Sequence, residues 1–278
     1  MNKSNLGHGL YFVMTVLFCA YLAYQAYGYS VAYEHQIDAL SKQLDASTNA
    51  KSKGKKLLET ITFNWYSGYS EEVAVLEESK ATAERMDKLA EKHTKLFVAV
   101  LVLMLILHIF LKSLWSLWAL LLVTGMALVT GWFAPILAIV AYQELPVLGQ
   151  TVFQFESKSI VSALMKLYDS GQNGVALVIF VFTMVVPVMK TLLKSVLLFS
   201  QSLHFSQKSI KILTIIGKWS MLDVFVIAIL VTYFSTKSGG TTDATLQIGV
   251  YFFVAYVLAS MILTSFINGH THDKFSSQ

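Results

Sequence analysis

Charged side chains are scarce in this sequence. Asp, Glu, Lys and Arg account for 14% of the 278 residues, whereas 55% of the residues are hydrophobic. An average soluble domain is about 25% charged, so a soluble globular fold is excluded. Several apolar runs approach the ~20 residues that cross a ~30 Å hydrocarbon core. The composition therefore predicts a membrane protein.

Cysteine and the usual glycine-rich motifs are also missing. Cys19 is the single cysteine, which excludes an intrachain disulfide and a cysteine zinc site. The sequence has no Gly-x4-Gly-Lys-Ser/Thr loop, Gly-x-Gly-x-x-Gly loop or Gly-x-Ser-x-Gly elbow, so we expect neither a cofactor nor an enzyme activity. His270 and His272 lie in a polar tail, where we expect them to be solvated rather than bound to a metal. The net charge of +4 is spread along the chain, and we expect no nucleic-acid partner.

The first apolar run begins at Leu10 and is rich in tyrosine at its far end. A removable signal peptide would fit its position, but the run is long and lacks a small-x-small cleavage site. Its tyrosines are typical of a membrane interface. We therefore expect residues 1–30 to form an N-terminal transmembrane anchor.

Residues 31–95 reverse this composition, with acidic and basic residues in near balance. Two stretches of good helix formers flank a segment that contains Gly54 and Gly68. The sequence predicts an extracytoplasmic helical hairpin whose arms continue the first two membrane helices; a loosely structured charged loop is the alternative. Apolar residues in the second arm follow a near seven-residue repeat: Leu76, Ala83, Met86, Ala90 and Phe97.

The remainder, residues 96–278, reads as a multi-span membrane domain. The apolar run at 96–140 is too long for one crossing and is interrupted at Lys112, which predicts two helices joined by a tight turn. Three further runs lie near 174–198, 213–235 and 247–267. The predicted fold is therefore all-α, a polytopic bundle of about six transmembrane helices.

The distribution of lysine predicts the orientation. With the amino terminus inside, the inner segments carry Lys3, Lys112 and a lysine-rich stretch at 194–218, whereas the outer segments contain most of the acidic residues. This asymmetry follows the positive-inside rule and places both termini in the cytoplasm. On the outer side, Ile160, Leu164 and Leu167 follow helical spacing, which predicts a short amphipathic helix that lies in the interface or packs on the hairpin.

Polar residues inside the last three spans are the strongest functional signal. Thr183, Pro187 and Lys190 share one helix face at offsets of four and seven residues. An ionisable residue deep inside a membrane span costs at least ~2.5 kcal/mol to insert. We therefore expect these residues to form a polar cluster beside a proline kink. Its candidate members are Lys190, Asp223, Ser220, Thr183 and Ser260.

Structural alternatives exist for each of these side chains. Lys190 can extend to the inner surface alongside Lys194. Asp223 can bind Trp219 or a neighbouring backbone group, and the hydroxyl of Ser260 can bond back to its own helix.

Three stretches of the sequence resemble the paraquat-inducible protein A family. They are "FESKSIVSALMKLYDSG", "PVMK" at 187–190 and "GKWSMLDVFVIAILV" from Gly217. The last is close to the family signature G-[RK]-W-S-M-x-D-V-F. The resemblance covers residues 115–268 and implies one four-helix module, with the anchor and hairpin outside it.

The resemblance implies an inner-membrane component of an intermembrane lipid transport system. Members look like partners of MCE proteins, so the implied partners are membrane phospholipid and an MCE-family periplasmic protein. It also places Lys190, Thr183, Ser220 and Asp223 on polar positions of the transport module, with Ser260 near another. Many relatives have a second tandem module that this sequence lacks, so we expect the chain to form a homo-oligomer or to act beside another subunit.

A second functional hypothesis comes from another class. The chain would be a membrane sensor or scaffold whose outward hairpin binds a ligand or a protein partner. The segment after Asn268 contains only ten residues with no output domain, which disfavours this hypothesis.

Overall fold

The computed structural model describes residues 3–48, 68–145, 149–199 and 242–276. Within these ranges five helices are long and apolar enough to cross a membrane, which confirms the prediction of a polytopic helical bundle. The sixth predicted span, at 213–235, lies outside the described residues. The five spans are Gly9–Ala39, Glu78–Leu111, Leu114–Phe133, Asn173–Phe199 and Ile248–Ile267.

Two long helices form the N-terminal part of the structure. Helix α1 runs from Lys3 to Thr48 and helix α2 from Gly68 to Leu111, and they pack along each other. Three members of the predicted seven-residue repeat are buried, with Ala83, Ala90 and Phe97 at most 1% exposed, whereas Met86 is half-buried. Each arm is thus one uninterrupted helix with its membrane segment, whereas the division of the chain at residues 30 and 95 stays a prediction.

A tight turn separates α2 from helix α3, as the interruption at Lys112 predicted. Lys112 has a left-handed φ of 43°, and α3 then runs from Leu114 to Phe133. We call this end of the bundle the turn end. Gly9, near the start of α1, also lies here, beside the ring of Trp115.

The opposite end carries a three-stranded antiparallel sheet that the sequence did not predict. Its strands are β1 (Pro135–Leu145), β2 (Gly149–Ser159) and β3 (Thr242–Leu246), in the order β2-β1-β3. The apolar run was expected to remain helical to residue 140, but α3 ends at Phe133 because Pro135 disfavours helical backbone at the preceding residue. Ala134 is accordingly extended, with φ −70° and ψ 147°.

We call the end of the bundle that carries the sheet the sheet end. Here a hydrogen bond joins helix α1 to the sheet. The hydroxyl of Ser157 in β2 donates a hydrogen bond to the carboxylate of Glu34 in α1. Because Gly9 lies at the turn end and Glu34 at the sheet end, α1 crosses the whole bundle. The residues of α1 that follow Glu34 therefore continue past the sheet.

The predicted amphipathic helix is present as α4, Ile160–Asp169. Ser159 caps it by accepting a bond from the Ser162 N–H at 3.1 Å, and the Ser162 hydroxyl returns the bond to the Ser159 N–H at 2.8 Å. The main contacts of α4 are with α3, β2 and the helix that follows. Met165 is 63% exposed and Tyr168 is 68% exposed, which fits an interfacial helix rather than one packed on the hairpin.

The fourth membrane segment is helical throughout but contains a π-helical turn, and we call it the broken helix. It comprises α5 (Asn173–Phe180), a π-helical turn (Val181–Val185) and α6 (Val186–Phe199). Helix α7 (Ile248–Ser276) follows β3 and closes the described bundle by packing mainly on α3. The side chains that face the candidate site come from α3, α6, the π-turn and α7.

Glycine permits backbone contact between α3 and α7. A Cβ atom on Gly131 would lie 3.0 Å from the backbone nitrogen of Phe253, and one on Gly249 would lie 2.5 Å from the carbonyl oxygen of Ala134. Neither neighbour is a flexible side chain that can move aside. A side chain at Gly249 therefore requires the backbone to move apart, and one at Gly131 requires Phe253 to shift by a few tenths of an ångström.

We expect Gly249→Ala to lower the thermal unfolding temperature of the detergent-solubilised protein. The added methyl group overpacks a backbone contact, which typically costs about 1–3 kcal/mol. Gly125→Ala in α3 is the matched control, because a Cβ there meets no atom within 4 Å and alanine favours the helix by up to ~1 kcal/mol. Equal unfolding temperatures for the two variants would contradict a close backbone contact at Gly249.

Candidate functional site

The break in the fourth membrane segment is centred on Pro187. Proline has no N–H, so the carbonyl four residues earlier, that of Thr183, loses its helical partner. The indole N–H of Trp132 in α3 donates to this carbonyl oxygen at 2.8 Å. In the π-turn, the Val186 N–H reaches the Val181 carbonyl, five residues back. The structure thus compensates for the proline with a side chain from a neighbouring helix.

Helix α7 binds the same break from the other side. The phenol of Tyr256 donates to the Pro187 carbonyl oxygen at 3.1 Å, and the Thr191 hydroxyl donates to that oxygen at 3.0 Å. Tyr256 is 1% exposed, so its polar end is satisfied inside the bundle. Side chains from α3 and α7 therefore fix both carbonyls at the kink.

A buried ammonium group joins α6 to α7 about two turns after Pro187. Lys194 is 2% exposed, and its Nζ donates to the backbone carbonyl of Ser260 at 2.7 Å and to the Ser260 hydroxyl at 2.5 Å. Hydrogen bonds to a charged group contribute about 1.5–3 kcal/mol. They offset part of the cost of placing a cation among membrane helices.

The sequence pattern counted Lys194 among the inner surface lysines, and the structure corrects this. Lys190 precedes Lys194 by one helical turn and is 3% exposed, so both lysines lie on the buried face of α6. Neither extends along α6 to the surface of the bundle. The described membrane spans Leu114–Phe133, Asn173–Phe199 and Ile248–Ile267 contain no Asp or Glu.

The structure brings part of the predicted cluster together. Thr183, Pro187 and Lys190 are all buried on one side of the broken helix. Ser260 of α7 contacts the same helix by accepting a hydrogen bond from Lys194. The hydroxyl of Thr183 bonds back to the Ile179 carbonyl at 2.7 Å, as hydroxyls in helices often do. The functional role of this cluster stays a prediction.

The other two predicted members lie outside the described residues. They are Ser220 and Asp223, both in the predicted span at 213–235. An ion pair between Asp223 and Lys190 therefore also stays a prediction.

Three contributors to this site were missed from the sequence. Lys194 had a signal, because it follows Lys190 by four residues and must share its helix face. Trp132 lies 51 residues before Thr183, and Tyr256 lies 69 residues after Pro187. No local pattern links residues so far apart, although the freed carbonyl itself predicts that some donor must exist.

A histidine and serine pair at the turn end has a structural role. His108 Nδ1 bonds to the Ser116 hydroxyl, and that hydroxyl donates its own hydrogen to the Ser113 carbonyl at 2.6 Å. With the serine hydrogen directed to the Ser113 carbonyl, Nδ1 acts as the donor to the hydroxyl and not as a base. The imidazole also packs on Phe266, with ring centroids 4.7 Å apart. The pair closes the turn between α2 and α3.

We expect Trp132→Phe to destabilise the protein by about 1–3 kcal/mol, because it leaves the buried Thr183 carbonyl without its donor. In a Pro187→Ala background the new alanine N–H can bond this carbonyl, so Trp132→Phe should then cost less. Unfolding of all four proteins in micelles measures this coupling. Trp115→Phe serves as a control, since Trp115 is 55% exposed. Strictly additive effects would contradict the proposed compensation.

Comparison with known proteins identifies the family. The model of the family "Paraquat-inducible protein A" matches residues 114–275, which is more than half of the chain. A "Probable intermembrane transport protein" of Haemophilus influenzae is 27% identical over 113 residues, covering 38% of this chain and 27% of the relative. The match thus spans only about a quarter of that relative's length, and no solved structure matches. This multi-pass membrane protein belongs to the paraquat-inducible protein A family.

Proposed function

We propose that this chain is an inner-membrane component of an intermembrane lipid transport system. It passes phospholipid to an MCE-type periplasmic partner and acts as a transporter rather than as an enzyme. The name of the Haemophilus influenzae relative describes an intermembrane transport protein, which supports transport. The observation that carries the proposal is a pair of buried lysines beside a broken membrane helix.

Buried lysines of this kind favour a working site over a purely structural one. Ionisable groups inside membrane segments are costly and are usually associated with ion or substrate pathways. Lys194 binds neutral oxygens of Ser260, which hold the ammonium in place but do not neutralise it. Among the described residues Lys194 bonds to no carboxylate, and a lysine held in this way is suited to receive an anion or to respond to a proton.

The break at Pro187 supplies the movable element. The bonds that hold it, from Trp132 and Tyr256, are single side-chain hydrogen bonds worth about 0.5–1.5 kcal/mol each. Such bonds can be exchanged when the helix bends. In this proposal the polar cluster works as a gate or proton relay, with Asp223 as the group that changes charge beside Lys190.

The sheet end faces the periplasm in this proposal. This orientation follows from the lysine distribution. It places the hairpin arms and the sheet on the side where a periplasmic partner would bind. The hydrogen bond between Ser157 and Glu34 joins the two structures. The hairpin therefore acts as the docking arm for the MCE-type protein.

We expect Lys190→Met and Asp223→Asn each to slow phospholipid transfer roughly tenfold or more, which corresponds to about 1.4 kcal/mol in the rate barrier. Both substitutions remove a charge from the cluster at nearly constant volume. The measurement is release of radiolabelled phospholipid from inner-membrane vesicles that contain the chain and its MCE-type partner.

Lys166→Met is the matched control for this experiment, because Lys166 is exposed on α4. Transfer by the Lys166→Met variant should equal that of the unmodified protein. Rates at the unmodified level from stably inserted Lys190→Met and Asp223→Asn variants would rule out the relay and the gate.

We expect removal of residues 32–93 to abolish transfer while the membrane module stays folded. The rings of Tyr29 and His93 lie close together, with centroids 5.3 Å apart, so a short glycine and serine linker can join the two cut helices. Fluorescence-detected size exclusion reports the fold and the vesicle assay reports transfer. Full transfer by the shortened chain would exclude the hairpin as docking arm.

The sensor hypothesis makes a different prediction for this shortened chain. A sensor would lose its input with the hairpin, but lipid transfer would be unaffected because the chain would have no part in it. Vesicles that lack the chain separate the two functions, because they transfer lipid at the full rate only if the chain is a sensor.

A further inference from the structure

An apolar groove of about 720 Å³ runs along the membrane face of α3. Its volume lies within the range of about 300–1,000 Å³ that is typical of ligand pockets. Helices α1 and α6 both pack on α3 and form the two walls, with α3 as the floor. The lining residues of α1 are Ala20, Ala23, Tyr24 and Tyr27. One wall thus comes from a helix outside the family match at residues 114–275.

The groove has the dimensions of one lipid chain. Its floor extends from Trp118 to Phe133, which is about 22 Å at a rise of 1.5 Å per residue. Half of a ~30 Å hydrocarbon core is about 15 Å, so the groove can hold the chain of a lipid from one leaflet. Its length runs with the membrane-crossing helix, as a lipid chain does.

The lining chemistry also fits hydrocarbon. Most of the lining side chains are aliphatic or aromatic, including Leu121, Leu122 and Met126. Several of them face outward: Leu122 is 53% exposed, Val129 50% and Leu192 55%. A chain can therefore enter sideways from the bilayer without passing through a polar layer.

The wall contributed by α6 places the groove next to the helix that carries the polar cluster. Thr191 and Ser195 line it, and each directly follows one of the two buried lysines, Lys190 and Lys194. The described spans of α3, α5 to α6 and α7 carry these two cations and no acidic residue. Both lysines are buried and neither lines the groove, so this wall presents to a bound chain the hydroxyls of Thr191 and Ser195 beside the apolar side chain of Leu192.

We propose that this groove binds one acyl chain of a membrane phospholipid, with α1 as the wall that holds the chain against the transport module. The inference rests on the proposed function and deepens it by naming where cargo is held. It also gives α1 a role beyond anchoring. The bound lipid would lie beside the face of α6 that carries the polar cluster.

The test uses photolabelling of the full-length protein in liposomes. The probe is phosphatidylethanolamine with a diazirine in one acyl chain, and the labelled peptides are identified by mass spectrometry. We expect labelling of the groove segments of α1, α3 and α6 to saturate and to be reduced by unlabelled phosphatidylethanolamine. Labelling on the outward face of α2, where Phe110 is 79% exposed, should rise in proportion to the probe.

Gly125→Phe is designed to block the groove. Gly125 lines it, and a Cβ atom there meets no other atom within 4 Å, so the phenyl ring can fill the groove without a backbone clash. We expect labelling of the groove segments to fall severalfold while labelling of α2 stays unchanged. Gly28→Phe is the matched control, because Gly28 also has open space at its Cβ but does not line the groove.

Three outcomes would overturn the proposal. The first is groove labelling that does not saturate, as expected for ordinary annular lipid. The second is groove labelling that Gly125→Phe leaves unchanged although the variant is folded. The third is crosslinking of a photoreactive residue at Leu122 to a protein instead of to the lipid probe, which would show that a partner helix or a second copy fills the groove.

This test is independent of the transport assay. Saturable labelling without any transfer activity would preserve the groove and refute the proposed function. Transfer activity without saturable labelling would preserve the function and refute the groove.

Discussion

The close approach of α3 and α7 is the constraint on which the rest of the described bundle depends. Gly131 and Gly249 allow backbone contact between the two helices, and because the helices meet, the strands β1 and β3 that continue them pair in one sheet. The same contact fixes the rotation of α7. Tyr256 and Ser260 are thereby presented to α6, where each accepts or donates a hydrogen bond at the polar site.

The broken helix shows how a costly sequence feature is stabilised by its surroundings. Pro187 removes one backbone donor, and the chain restores the lost bond with the indole of Trp132 rather than with water. In a membrane this matters more than in a soluble protein, because an unsatisfied carbonyl in hydrocarbon costs several kcal/mol. The kink, the lysines and the proposed transport function are linked, since one short segment provides the irregular backbone and the next turns provide the charge.

The number and position of the described membrane helices could be predicted from hydropathy, and the Ser159 cap from local spacing, because both depend on residues close in sequence. The sheet could not. The β1 strand lies inside an apolar run whose length favoured helix, and its partner β3 lies about a hundred residues later, as in the pair Ala138 and Thr245. In the site, the face of Lys190 followed from helical periodicity, whereas burial of Lys194 depends on α7, which no local pattern reveals.

Helix α1 has a mechanical consequence for the whole molecule. Its 46 residues contain no proline, and at 1.5 Å per residue they form a rod about 69 Å long. A tilt of about 10° would displace the tip of such a rod by roughly 12 Å. The hydrogen bond from Ser157 to Glu34 attaches β2 to this helix. A force applied to the carboxyl-terminal end of α1 is therefore transmitted to the sheet and, through β1, to the carboxyl-terminal end of α3.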